Sequence, residues 1–158
     1  MAIKNFSMDL EFKEKIYLHG LSLLADKQSN LQKDIAALRD GIANDSKSSM
    51  GDKYETSREM SQQEINRLEQ QFAINQHHLF NLKKLFWQNK SLQILLGSLV
   101  LTNIGSFFIT VSLGEIKIEN QSVFMISPGS PIGKLLIGKK VGDEFEMNKK
   151  LINVVAIL

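Results

Sequence analysis

From Asp9 to about Lys90 the chain holds no proline and only three glycines, and its apolar residues recur in alternating steps of three and four. That period defines a coiled-coil seam, because a repeat of about 3.5 residues keeps one stripe of a helix turned toward a partner. The seam runs Leu10, Glu14, Tyr17, Leu21, Leu24, Gln28, Leu31, Ile35, Leu38, Ile42. After a break it resumes at Ile65 and continues through Leu68, Phe72, Asn75, Leu79, Leu82 and Phe86. Gln28 and Asn75 are its central polar interruptions.

The break, residues 44–53 (NDSKSSMGDK), is polar and rich in turn-forming Asn, Asp, Ser and Gly, so the helix is expected to reverse there. Antiparallel packing then requires paired seam positions to share a constant sum. Ile35 with Ile65, Leu31 with Leu68, Gln28 with Phe72, Leu24 with Asn75, Leu21 with Leu79 and Tyr17 with Leu82 all sum to 99 or 100. The tip is centred near Met50 and Gly51. Arms of about 35 residues at about 1.5 Å each make a finger of roughly 50 Å. An intermolecular coiled coil on the same heptads is the alternative.

From Ser91 the period changes to β-rich runs, LVLTN, SFFITV, EIKIE, SVFMIS, DEFEMN and LINVVAIL, separated by Gly, Asn, Asp or Pro. These read as a small antiparallel sheet. Between the fourth and fifth runs, Ser130 is placed as an N-cap, Pro131 at the first helical position and Gly138 after the last turn, which predicts one short helix. The expected organisation is α+β, an antiparallel coiled-coil hairpin over residues 1–90 with its tip near 44–55, then a small sheet domain over 91–158. Ser91 to Gly114 is 24 residues without a charge, long enough to span a bilayer. Eleven of the 24 are Ser, Thr, Gln, Asn or Gly, scattered through the run, and this favours strand, turn, strand over a helix in lipid.

Charge excludes a bulk electrostatic partner. Residues 9–90 hold 12 basic and 12 acidic side chains and residues 91–158 hold 6 and 5, so neither half resembles a nucleic-acid coat or a polybasic anchor. With no cysteine, disulfides, thiolate metal sites and a cysteine nucleophile are excluded. The first residues lack a secretory pattern, and a cytoplasmic location is expected.

Gly133-Lys-Leu-Leu-Ile-Gly138-Lys139-Lys140 approaches a phosphate-binding loop, but Lys140 stands where a hydroxyl is needed for Mg²⁺. His77 and His78 are adjacent, so they point to different sides of a helix. With His19 they form no ligand set of metal spacing, and no serine sits in a nucleophile elbow. Phe107, Phe108, Phe124 and Phe145 are expected in the core, and Trp87 at the base of the finger. At the tip, Asp52 and Glu55 are three residues apart, close enough for both carboxylates to face one point and share a cation. The same spacing also fits a capping box. Asp40, Asp45 and Glu59 add acid nearby, partly offset by Lys47, Lys53 and Arg58.

Residues 126–144, ISPGSPIGKLLIGKKVGDE, resemble the C-terminal signature of the GreA/GreB transcript cleavage factors, in which Ser-Pro-x-Ser-Pro and Gly-Lys-Lys-x-Gly-Asp flank a short helix. That family joins a coiled-coil finger to a small FKBP-like domain. The resemblance implies a bacterial RNA polymerase partner, entered through its secondary channel. It makes Ser127, Pro128, Ser130, Pro131 and Gly133 candidate partner-binding residues. The family tip, roughly Gly-Asp-x-x-Glu-Asn-Ala-Glu-Tyr, is matched by Gly51, Asp52 and Glu55. By that match the two acids inherit a metal role, shared with polymerase-held Mg²⁺ and supplied in trans. None is expected to bind stably to the free protein. Thr56-Ser57-Arg58-Glu59 departs from the Asn-Ala-Glu-Tyr that follows in the family.

The resemblance implies an accessory factor, not an enzyme. It would stimulate cleavage of nascent RNA in backtracked complexes, as a monomer, contacting the RNA 3′ end indirectly, with no DNA or membrane partner. A regulator that occupies the channel without cleavage is the alternative. A prolyl isomerase or chaperone fits less well, since residues 91–158 contain no Trp and no Tyr, as does a dimeric coiled-coil adaptor.

Overall fold

A computed structural model of the chain describes residues 9–45 and 51–158. Helix α1 (Leu10–Asp45) and helix α2 (Gly51–Lys84) come first. They are followed by β1 (Leu99–Thr102), β2 (Gly105–Ile109), β3 (Gly114–Ile118), β4 (Gln121–Ile126), α3 (Pro131–Leu136), β5 (Glu144–Met147) and β6 (Lys150–Ile157). All six β-rich runs and the short helix of the sequence reading are present. The predicted tip centre at Met50 lies outside the described residues, as does Lys47. Two compact units divide the chain, one running up to Leu21 and resuming at Asn81, the other Ser22–Phe80.

The Ser22–Phe80 unit is the antiparallel hairpin. Leu31, Ile35, Ile65 and Leu68 form a buried cluster against which Leu38, Ile42 and Phe72 pack. The cluster draws these residues from both arms, as the seam read from the sequence requires. The seam of this unit is thus packed between two arms of the same chain. Near its middle the Asn75 amide donates to the Leu24 carbonyl at 2.9 Å and to Gln28 Oε1 at 3.0 Å. Arg39 and Glu69 add an ion pair across the arms.

The other unit is built on a six-stranded sheet in the order β3-β4-β2-β1-β6-β5. The fold class stands, with one difference from the expected all-antiparallel sheet: β2 and β4 pair in parallel, Phe108 opposite Met125. The cause is the burial each strand can supply. In β4, Val123 and Met125 are fully buried, whereas β3 buries only Ile116. The β3–β4 hairpin therefore turns its richer strand inward and leaves β3 at the edge, where an unpaired strand is tolerated. Glu119-Asn120 and Asn148-Lys149, all at positive φ, make the two-residue turns of β3–β4 and β5–β6, the local twist such tight hairpins need.

One core of this unit gathers Val100, Phe107, Ile109 and Val154 of the sheet with Ile94 and Leu136. At Phe108 and Met125, opposite in register, the sheet meets the first turns of α1. A Cβ on Gly20 would lie 3.0 Å from the Met125 methyl and 3.4 Å from Leu82. Here the seam reading needs correction: Leu10 and Glu14 are exposed, and Phe12, Lys13, Ile16 and Gly20 are buried instead. A sheet presents a broader apolar surface than one helix, so this part of α1 turns a different stripe inward. Phe86 is likewise 63% exposed and lies beyond α2.

Lys13 is fully buried, donates from Nζ to the Leu158 main-chain oxygen at 2.9 Å and lies 5.9 Å from the Phe108 ring centroid. Burial lowers its pKa to about 8. Trp87 is half-buried with its ring 5.6 Å from that of Tyr17, at the base of the helices as expected. Phe124 corrects the aromatic core assignment. It is 37% exposed and leans on the buried Phe107 at 5.8 Å, because β4 turns its neighbours Val123 and Met125 to the buried face and Phe124 to the opposite one.

Candidate functional site

The tip acids lie in the first turns of α2. Asp52 is the second residue of the helix as described and Glu55 lies one turn on, exposed. Residues three apart on a helix are neighbours on its surface, about 5–6 Å apart at Cβ. Arg58 and Glu59 are exposed a further turn along.

Carboxylate oxygens are hard donors of the kind Mg²⁺ prefers, and one or two carboxylates with other oxygen ligands are its usual protein share. Among the described residues no group of three or more His, Cys, Asp or Glu can hold a metal ion. The histidines do not fit one. Burial first, then neighbouring His77 and Lys27, pushes His78 below the usual imidazole range, which disfavours its charged form.

The signature residues build one turn. The Ser130 side chain caps α3, accepting from the Gly133 amide at 3.1 Å and donating to the Ser127 carbonyl at 2.8 Å. The Ser130 amide donates to that same carbonyl at 3.1 Å. Pro131 opens the helix, where its missing N–H costs nothing. Pro128 is half-buried and contributes the carbonyl that a Cβ on Gly133 would approach at 3.1 Å. The same Cβ would lie 2.2 Å from the Ser127 oxygen and 2.7 Å from Ser130 Oγ. Only glycine fits. Ser127 and Ser130 are half-buried and Pro131 is exposed, so part of the turn faces solvent.

The second half of the signature also closes on itself, which the sequence reading did not anticipate for Asp143. Its Oδ2 accepts from the Lys140 amide at 2.8 Å, and its own amide donates to the Lys140 carbonyl at 3.0 Å. Gly138 and Gly142 sit at φ +81° and +91°, where a side chain would be strained. The Gly138 amide donates to the Ile94 carbonyl and the Gly142 amide to the Val154 carbonyl. The spacing Gly-x-x-x-Gly-Asp was the available clue. The amides of both glycines are spent on these main-chain bonds within turns.

Residues 108–157 match a family model described as "Transcription elongation factor, GreA/GreB, C-term". The match takes in β4, α3, both halves of the signature and β6 through Ile157. The chain is also similar to a solved structure titled "Structure of the transcription factor Gfh1", at 23% identity over 89% of this chain and 92% of that one, with a TM-score of 0.33. No curated protein matches the chain.

Proposed function

We propose, from the match of residues 108–157 to the GreA/GreB C-terminal family model, that this protein is an accessory factor of RNA polymerase. It works from the secondary channel and stimulates cleavage of nascent RNA in backtracked complexes. The family match carries this reading. The helical hairpin and the acids at the start of α2 support it, because together they are what such a role needs from a chain that is not itself the nuclease.

In this mechanism Asp52 and Glu55 act in trans, as oxygen ligands and as acceptors that orient an attacking water. The Mg²⁺ held by the polymerase supplies Lewis acidity and lowers the pKa of bound water. Ile65 and Leu68 pack α2 against α1 further along the same helix, and positioning is most of what such an accessory group contributes. Arg58, exposed one turn further on, is placed to meet phosphate charge.

The test is shortening of nascent RNA in stalled complexes, comparing wild type with Asp52→Asn, Glu55→Gln and the double variant at several Mg²⁺ concentrations. Loss of shortening in each variant with retained polymerase binding is the expected result, and equal shortening by wild type and double variant refutes the metal role. The second reading, a regulator that occupies the channel without cleavage, is favoured by one observation: Thr56-Ser57-Arg58-Glu59 replaces the family residues after Glu55 and puts a cation beside the acids. Binding that alters pausing with no Mg²⁺-dependent shortening by wild type would decide for it.

A further inference from the structure

The hairpin seam repeats so regularly that it is compatible with more than one register. Sliding α2 by one heptad would set Ile65 opposite Ile42, Leu68 opposite Leu38 and Phe72 opposite Ile35. Each of those pairs is apolar, and Leu38 and Ile42, only half-buried at the edge of the observed cluster, would be buried further. Within the Ser22–Phe80 unit, apolar burial alone therefore does not select the register seen.

We propose that Asn75, through its bonds to the Leu24 carbonyl and to Gln28, is the register lock of this hairpin. Asn75 is 2% exposed, and its amide makes both bonds across the arms at 2.9 and 3.0 Å. In the slipped register it would face Leu31, and Gln28 would face Leu79. Both polar groups would then be buried against hydrocarbon, and an unsatisfied buried amide costs more than a satisfied one contributes. Asn75 Oδ1 lacks a hydrogen-bond partner even in the observed register. A residue chosen for stability alone would be apolar here, and a buried polar seam residue that sacrifices stability for one alignment is an established device of coiled coils.

The lock decides more than the seam. With α1 kept to Asp45, the one-heptad slip takes the seven residues Gly51–Ser57 out of α2, Asp52 and Glu55 among them. Register thus determines whether the two acids ride on a helix or in a loop. That consequence for function rests on the reading proposed above. The lock itself does not, and its test uses no polymerase.

Because the chain has no cysteine, paired substitutions report register without background. Leu31→Cys with Leu68→Cys reads the observed register, and Ile42→Cys with Ile65→Cys reads the slipped one. Both are treated with copper–phenanthroline at low protein concentration, and intramolecular disulfide is counted in the monomer fraction. A disulfide needs Cα atoms within about 7 Å, and one heptad displaces them by about 10 Å. In the otherwise native chain only the first pair should close. Adding Gln28→Leu and Asn75→Leu should raise closure of the second pair by about tenfold or more, the scale set by losing one satisfied buried amide. If the second pair stays open in that background, the proposal is overturned. Should the double-leucine chain associate, Asn75→Ala carries the same two pairs. Closure of the second pair supports the lock, and an unchanged pattern refutes it.

Discussion

Gly133→Ala is the sharpest test of what the signature turn does. The added Cβ would lie 2.2 Å from the Ser127 carbonyl oxygen, so that oxygen must retreat by about 1 Å to restore ordinary contact. It is held by two hydrogen bonds from Ser130, whose side chain in turn caps α3 through the Gly133 amide. Overpacking of this kind costs about 1–3 kcal/mol, and weakening the cap adds about 1 kcal/mol. We expect a total loss of about 2–4 kcal/mol, or roughly 5–15 °C in midpoint for a chain of this length. Trp87 is the only tryptophan and belongs to the same unit as α3, so its fluorescence during urea unfolding reads the affected unit directly. Gly129→Ala is the control, because a Cβ there meets nothing within 4 Å and should stay within about 0.5 kcal/mol of wild type. If Gly133→Ala behaves like that control, the close-approach argument is wrong and the glycine is kept for some other reason.

The pH dependence of stability should show Lys13. Its folded pKa of about 8 lies below the ordinary 10.5, so between those values the unfolded chain binds more protons than the folded one. Stability from this group therefore rises as pH climbs from about 8 to 10.5, by about 1–3 kcal/mol. Lys13→Met should flatten that rise in urea titrations at pH 7, 8.5 and 10, and a native chain with no rise over this window contradicts the burial of the amine. Phe107→Ala should cost about 3–5 kcal/mol as a buried aromatic deletion. Phe124→Ala, on the partly exposed face, should cost nearer 1 kcal/mol in the same denaturation series, and equal losses would place Phe124 in the core after all.

Ile35 opposite Ile65 and Leu31 opposite Leu68 could be paired by arithmetic before any coordinates, because a helix repeats its faces at a fixed interval and a hairpin reflects them. The cap at Ser130 and the start at Pro131 were equally legible, since a missing N–H and a side-chain acceptor act on their own backbone. Leu10 and Glu14 were misplaced on the buried stripe. The periodicity of α1 does not say whether a helix or a sheet will lie against it. Asp52 and Glu55 were found as an acid pair by spacing and given a role only by resemblance, because two carboxylates on one turn fit a cap as readily as a shared ion.

What the sequence by itself determined is everything carried by neighbours along the chain: the two periods, the helical reversal, six strands, and the capped helix between the fourth and fifth. Only the tertiary structure decided that β4 lies between β3 and β2, that Lys13 is buried beside Phe108, and that Gly133 leaves no room for a methyl group. Dihedral preference and hydrophobic period are local and act at once on a few adjacent residues. Strand order, the covered face of a helix and the clearance around one glycine depend on which distant segments win the same buried surface, and that competition is settled only when the whole chain packs.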